Sequence, residues 1–294
     1  MRTGLFSVSY AGLWGQVKLP LTDFIAKARE LGFDEVLLMA KRPHLSVLES
    51  ERETISAVKA SLQKHDIRCI GLACYNDILL DAPAEIPVME IQLAYLESAA
   101  RMTAELGGNL IRVFTGYLAG GLSFADARRR VTDFLGETGR LAGRYGVSVA
   151  VQNHHDFGVD TSLMWEIIDD VGLPNVGAGY DAWSPFLRGE NLAEGARRMA
   201  SKTVLTIAAN YIRLPRYTYL PELVNYRRDH PDFVQAVSME EGEIDYGPFL
   251  RGLREGGFDG PVVYEMCSPL RGGPSLKNLD GKAKSFLAYM RRIG

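Results

Sequence analysis

The chain has 294 residues, 47% of them hydrophobic, and a formal net charge of -3 with a sequence pI near 6.0. That length and apolar content support a substantial core in one large domain or two small ones, and the slight acidic excess removes the electrostatic reason to expect nucleic acid. No apolar run approaches the roughly 20 residues of a membrane span, and Cys69, Cys74 and Cys267 lack zinc or redox spacing, so the expectation is a soluble, cytoplasmic protein in a reducing compartment.

Read in chain order, short β-branched or apolar runs alternate with longer amphipathic ones. Strands are expected near 4–10, 34–39, 67–73, 109–114, 147–152, 175–180, 203–208 and 261–266. The first begins the chain without the basic and apolar segments of a secretory leader. Residues 22–31 place Phe24, Ile25, Ala28 and Leu31 on one helical face, with Gly32 where a C-terminal cap belongs. Residues 51–64 repeat the device with Ile55, Val58 and Leu62. The stretch 87–106 is longer and closes on Gly107-Gly108, and 124–145 closes on Gly146.

A helix, then a glycine, then an apolar residue opening a strand recurs at Gly32-Phe33, Gly146-Val147 and Gly257-Phe258. This is the grammar of a parallel sheet. Eight such strands in one uninterrupted chain predict a single (β/α)8 TIM barrel spanning 1–294. A doubly wound sheet is the runner-up, but the turn from Ser9 to Gly15 lacks its glycine-rich phosphate pattern. Residues 211–243, rich in Arg, Tyr and Pro, break the rhythm and read as an extended loop after strand seven, serving as a lid or a subunit contact.

Barrel enzymes draw their active-site groups from strand C-termini and the loops that follow. Here those positions hold Trp14; Lys41 and His44 in a basic turn; Tyr75; Arg112; Gln152, His154 and His155; Asp181 and Trp183; Asn210, Arg213 and Arg216; and Glu265 with Arg271. Carboxylates, histidines, arginines and aromatics together suit a polyol, with rings on C–H faces and polar groups reading hydroxyls. Alternation along the fifth strand puts Ser148, Ala150, Gln152 and His154 on one face, so Gln152 and His154 both reach the mouth. The competing reading is a hydrogen-bonded plug at the barrel end. Trp14, Tyr75, Arg112, Trp183, Arg213, Arg216 and Arg271 are the candidate substrate contacts. Arg213 and Arg216 serve equally well as partners of Glu222 or Asp229, Arg271 as part of a plain connection, and the tryptophans as loop packing.

Over nearly its whole length the chain resembles the xylose-isomerase-like superfamily of sugar isomerases and epimerases. The resemblance is carried by Gly32-Phe33-Asp34-Glu35-Val36, Gln152-Asn153-His154, Asp181 followed by Gly189-Glu190, and Tyr264-Glu265. It implies a divalent metal held by Glu, Asp, His and Glu from strands five to eight. Asp181 and Glu265 match two posts, Gln152 stands at the first glutamate post, and the seventh strand offers Asn210 with no histidine in either register. A shell of Gln152, Asp181, Glu265 and Asn210 would favour Mn²⁺ or Mg²⁺ over Zn²⁺, bound weakly if at all.

The resemblance further implies an acid/base pair of two glutamates, which Gln152 cannot complete because an amide does not exchange a proton. Proton transfer then falls to His155, His154, His44 or Glu265. The expectation is an isomerase- or epimerase-like enzyme on a sugar or polyol derivative, with a lyase or dehydratase on a keto-sugar or keto-glycoside and a non-catalytic sugar-binding barrel as alternatives. The partner is a small carbohydrate rather than nucleic acid or membrane, and the 211–243 segment admits a homodimer.

Overall fold

A computed structural model describes residues 1–118 and 120–293. Eight parallel strands close into a barrel: β1 (Arg2–Phe6), β2 (Glu35–Met39), β3 (Arg68–Ala73), β4 (Leu110–Val113), β5 (Ser148–Gln152), β6 (Val176–Gly179), β7 (Thr203–Ala208) and β10 (Pro261–Tyr264). β10 pairs with both β1 and β7, completing the ring. The helices that follow these strands include α1 (Leu21–Leu31), α2 (Arg52–Lys64), α3 (Val88–Glu105), α4 (Phe124–Gly143), α5 (Thr161–Val171), α6 (Trp183–Leu187), α7 (Leu192–Met199), α8 (Tyr246–Glu255) and α9 (Leu276–Ile293). The expected (β/α)8 barrel is the observed architecture.

Strand alternation divides the core in two. Phe6, Leu37, Met39, Leu110, Ala150, Leu205, Ile207 and Val263 fill the barrel interior. The alternate residues, among them Leu5, Val36, Leu38, Ile111, Val149, Val151 and Val262, pack outward against the helices. Two glycines show how the ring closes. Gly32 caps α1 with φ 100° and donates to Ala28 and Arg29, turning the chain into β2. Gly71 lies so close to β4 that a Cβ would stand 1.6 Å from the Leu110 carbonyl oxygen.

The first strand is shorter than its apolar run suggested. Residues Ser7–Tyr10 form a 3-10 turn, because the two serines take over as acceptors: Ser7 Oγ from the Met39 N–H and Ser9 Oγ from the Met266 N–H, at 2.8 and 2.9 Å. The segment expected as a loop after strand seven is a long antiparallel hairpin, β8 (Asn210–Leu220) and β9 (Asn225–Val237), paired from Asn210↔Val237 out to Leu220↔Asn225. At about 3.3 Å per residue it projects roughly 30 Å. Its outer part exposes Tyr217, Tyr219, Leu223, Val224, Tyr226 and Phe233.

Asn210 fastens the base. Its amide donates to the Met239 and Ile244 carbonyls at 2.8 and 2.9 Å and accepts the Ile244 N–H at 3.1 Å. Both ends of the hairpin therefore return to one point on the barrel rim.

Candidate active site

The C-terminal mouth of the barrel holds a cavity of about 230 Å³. Gln152, His154, His155, Asp181, Trp183 and Ser184 line one side of it, and Ile207, Ala209, Tyr211, Val234, Tyr246, Glu265, Cys267 and Ser268 the rest. The sequence-derived candidates Gln152, His154, His155, Asp181, Trp183 and Glu265 meet here.

Gln152 is the last residue of β5, and β5–β6 register sets it opposite Gly179, two residues before Asp181. Its Nε2 donates to Asp181 Oδ2 at 2.7 Å. Asn153 holds the Asp181 backbone from both sides, accepting its N–H at 2.7 Å and donating to its carbonyl at 3.0 Å. The Trp183 N–H reaches Asp181 Oδ1 at 3.3 Å. Burial outweighs these donors, and the nearby Glu265 charge adds to it, so the Asp181 carboxyl is pushed up to about 7.

Glu265 follows β10 and accepts the Cys267 thiol at Oε1, 3.2 Å. Tyr211 OH lies 2.6 Å from the same sulfur. A thiol has one proton, so when Cys267 donates to Glu265 the tyrosine hydroxyl is the donor to sulfur. Tyr211 in turn packs on Trp183, ring centroids 4.4 Å apart. Burial raises the Glu265 carboxyl and the Cys267 thiol; Arg112 draws Glu265 partly back.

The histidines occupy three different environments. His154 is wedged between Phe114 and His155, with ring centroids at 4.5 and 3.5 Å. Desolvation, then the His155 and Arg112 charges, pull it down to about 2, so it is a neutral imidazole at any working pH. His155 is exposed at the mouth and lowered by partial burial. His44 lies outside the cavity. Its Nε2 donates to the Leu19 carbonyl at 3.2 Å and its Nδ1 accepts from the Ser7 hydroxyl at 2.9 Å. Burial takes it down to about 4. Both ring nitrogens are hydrogen-bonded, and the imidazole stands apart from the cavity lining.

Arg112, the third residue of β4, is only 2% exposed. Alternation with Leu110 turns it inward, and its guanidinium lies over the rings of Phe114, Tyr75 and Phe6 at 4.1, 5.0 and 5.7 Å. Nη1 donates to the Cys74 carbonyl at 2.9 Å, while the buried Nε–H has no acceptor. Lys41 Nζ sits 3.7 Å from the centroid of the same Tyr75 ring, and burial and Arg112 lower it. Trp14, partly buried, packs against the interior cluster on this side.

Arg213, Arg216 and Arg271 make their contacts away from the cavity lining. Arg213 forks onto Glu243 at 2.6 and 2.8 Å. Arg216 packs on Phe233 and donates to the Pro231 carbonyl, out on the hairpin. Arg271 is exposed, its backbone N–H bound to Ala236. Conversely, Tyr211, Ser184 and Cys267 line the cavity without having been singled out as site residues. Their signal was only positional: Cys267 stands two residues past Glu265, and Tyr211 one past Asn210.

A divalent cation does not fit this donor set. Among the described residues Asp181 and Glu265 are the only carboxylates lining the cavity. Strand seven offers Ile207, and the residue after its end is Ala209, where an imidazole would be needed. The Gln152 amide turns its N–H toward Asp181, and the Asn210 amide is consumed at the hairpin base. Among the described residues no three His, Cys, Asp or Glu side chains gather as a metal cluster. No helix among them is long and apolar enough to cross a membrane.

Residues 25–292 match the family model of the xylose isomerase-like TIM barrel. A ketose 3-epimerase from Arthrobacter globiformis is 24% identical over 285 residues, covering 92% of this chain and 86% of that one. A D-psicose 3-epimerase from Clostridium cellulolyticum H10 superposes with a TM-score of 0.75 at 16% identity, over 100% of this chain and 99% of that one. A probable 3-DHS dehydratase from Bacillus anthracis does so with a TM-score of 0.74 at 16% identity, over 99% of both chains. At such identities the superpositions establish the fold.

Proposed function

The chain belongs to the xylose isomerase-like TIM-barrel family, and from that premise we propose an enzyme that moves a proton at the carbon beside the carbonyl of a keto-sugar or related polyol derivative, in the manner of a sugar isomerase or epimerase. The observation that carries this reading is two buried carboxyl groups with raised pKa facing one cavity beside two histidines. Perturbed acids converging in a cleft are what acid–base catalysis requires.

Glu265 is the base. Its low-polarity surroundings raise its proton affinity toward working pH, and Cys267 fixes one of its oxygens. Asp181, straddling neutrality at about 7, is held by Gln152 and Asn153 and serves as the proton-sharing partner. His154 acts as a neutral hydrogen-bonding group toward the carbonyl oxygen, and His155, at the open rim, exchanges protons with solvent. Trp183 and Tyr211 supply the apolar wall against which C–H faces pack. No metal step enters, because the donor set does not provide one.

A second reading, β-elimination from a keto-sugar, follows from Gln152. With that post unable to exchange a proton, Glu265 can remove a proton and return it to the leaving hydroxyl on the same face, which is a dehydratase's task. Solvent exchange tests both. In D₂O, NMR of ketoses incubated with the enzyme should show deuterium appearing beside the carbonyl, with an alkene product only if elimination operates. Glu265→Gln should slow exchange by about 10³-fold, within the usual range for a positioned base. Undiminished exchange in that variant would sink the assignment.

A further inference from the structure

We infer that the β1–β4 side of the mouth recognises an anionic oxygen group on the substrate, so that the preferred ligand is a keto-sugar bearing a carboxylate or phosphate rather than a neutral one. This rests on the carbohydrate reading and sharpens it. The observation is two cations placed together with no carboxylate in ion-pair contact with either among the described residues. Arg112 is buried, carries an N–H without an acceptor, and forms no salt bridge among the described residues. Lys41 shares the Tyr75 ring with it and likewise has no carboxylate partner.

A buried charge is normally paired, and two like charges on one aromatic ring repel. The Cys74 carbonyl and three aromatic rings hold the guanidinium in place, but none of them is an anion that balances its charge. Three rings lie around the guanidinium, one of its terminal nitrogens is bound to the Cys74 carbonyl, and its Nε–H is the donor left without an acceptor. Such a donor suits the planar oxygens of a carboxylate or the oxygens of a phosphate. The carboxylates of the site, Asp181 and Glu265, follow β6 and β10, and Glu265 is close enough for Arg112 to lower it without pairing to it. A substrate bound between the walls would set its anionic group on Arg112 and Lys41 and its reacting carbon toward Glu265.

The test uses three probes with one carbon skeleton: D-fructose, D-fructuronate and D-fructose 6-phosphate, titrated into the full chain by calorimetry with melting shifts alongside. At least one anionic probe should bind tenfold or more tighter than fructose, and comparison of the two separates carboxylate from phosphate. Arg112→Met should erase the preference to within about twofold, and Lys41→Met should reduce it severalfold. Lys41 is only half-buried, so its variant keeps the test decisive if the Arg112 one folds poorly. Fructose binding as tightly as both anions, or a preference that survives both substitutions, overturns the inference and leaves the carbohydrate reading standing. Failure of all three probes to bind overturns both.

Discussion

The two halves of the barrel mouth are built alike and charged oppositely. On β1 to β4 the inward residues are aromatic or aliphatic, with Arg112 and Lys41 set among them without a carboxylate in ion-pair contact among the described residues. On β5, β6 and β10 they are Gln152, Asp181 and Glu265, tied to one another or to Cys267 by hydrogen bonds. The cationic half lacks ion-pair partners among the described residues, whereas the acidic half relieves its charge by proton uptake at Asp181. Burial thus acts on both halves and is answered differently: a carboxyl can take up a proton, but a guanidinium cannot shed one.

That contrast can be broken first on the acidic half. Gln152→Glu replaces the amide that donates to Asp181 with a third carboxylate, and in calorimetric titrations its Mn²⁺ affinity should exceed the parent's by tenfold to a hundredfold. Equal affinity in the two proteins would mean that the missing imidazole, rather than the amide, sets the cation preference.

Asp181→Asn tests whether the acidic half is held by protonation. The Asp181 pKa rises from its ordinary value near 3.8 to about 7 in the folded chain. The folded state therefore binds the proton more tightly than the unfolded one, and stability falls as pH rises from about 4 to 7, by at most roughly 4 kcal/mol from linkage. Above the folded pKa the loss is complete. The asparagine variant should melt roughly 5 °C higher than the parent at pH 8.5 and near it at pH 4. A gain independent of pH would show that the carboxyl's charge is not what matters.

The smallest effect is expected at Cys267. Removing the thiol with Cys267→Ala takes away one hydrogen bond of about 1 kcal/mol and leaves Glu265 in place. Turnover should fall less than tenfold, and the pH–rate profile should shift at the limb set by Glu265. A loss as large as that of Glu265→Gln would give Cys267 a direct part in the chemistry.

The strand-end positions of Gln152, Asp181, Arg112 and Glu265 were legible because alternation along a strand and the closure of a barrel both act locally on sequence. The hairpin was not. Neither face of its outer part is buried, so Leu214, Tyr217 and Tyr219 show no inward–outward pattern, and Pro215 and Pro231 sit where the ladder shifts register. His44 looked catalytic because it follows a strand in a basic turn, and only the contacts to Ser7 and Leu19 reveal its work. Arg213, Arg216 and Arg271 lie away from the cavity lining for a related reason: position after a strand fixes which rim a residue occupies, while the direction of a long side chain depends on partners far away in sequence, as with Arg213 and Glu243.

The Asn210 fastening makes the outer hairpin separable from the barrel. Leu214 and Phe233 are ladder partners, so their Cα atoms stand only about 5 Å apart, a gap that a tight turn of a few residues bridges. The arm beyond them is thus an extension of a base in which Tyr211 and Val234 wall the cavity. That outer part could be trimmed back or exchanged for another sequence, leaving the cavity wall, β7, α8 and the strand that leads to Glu265 in register.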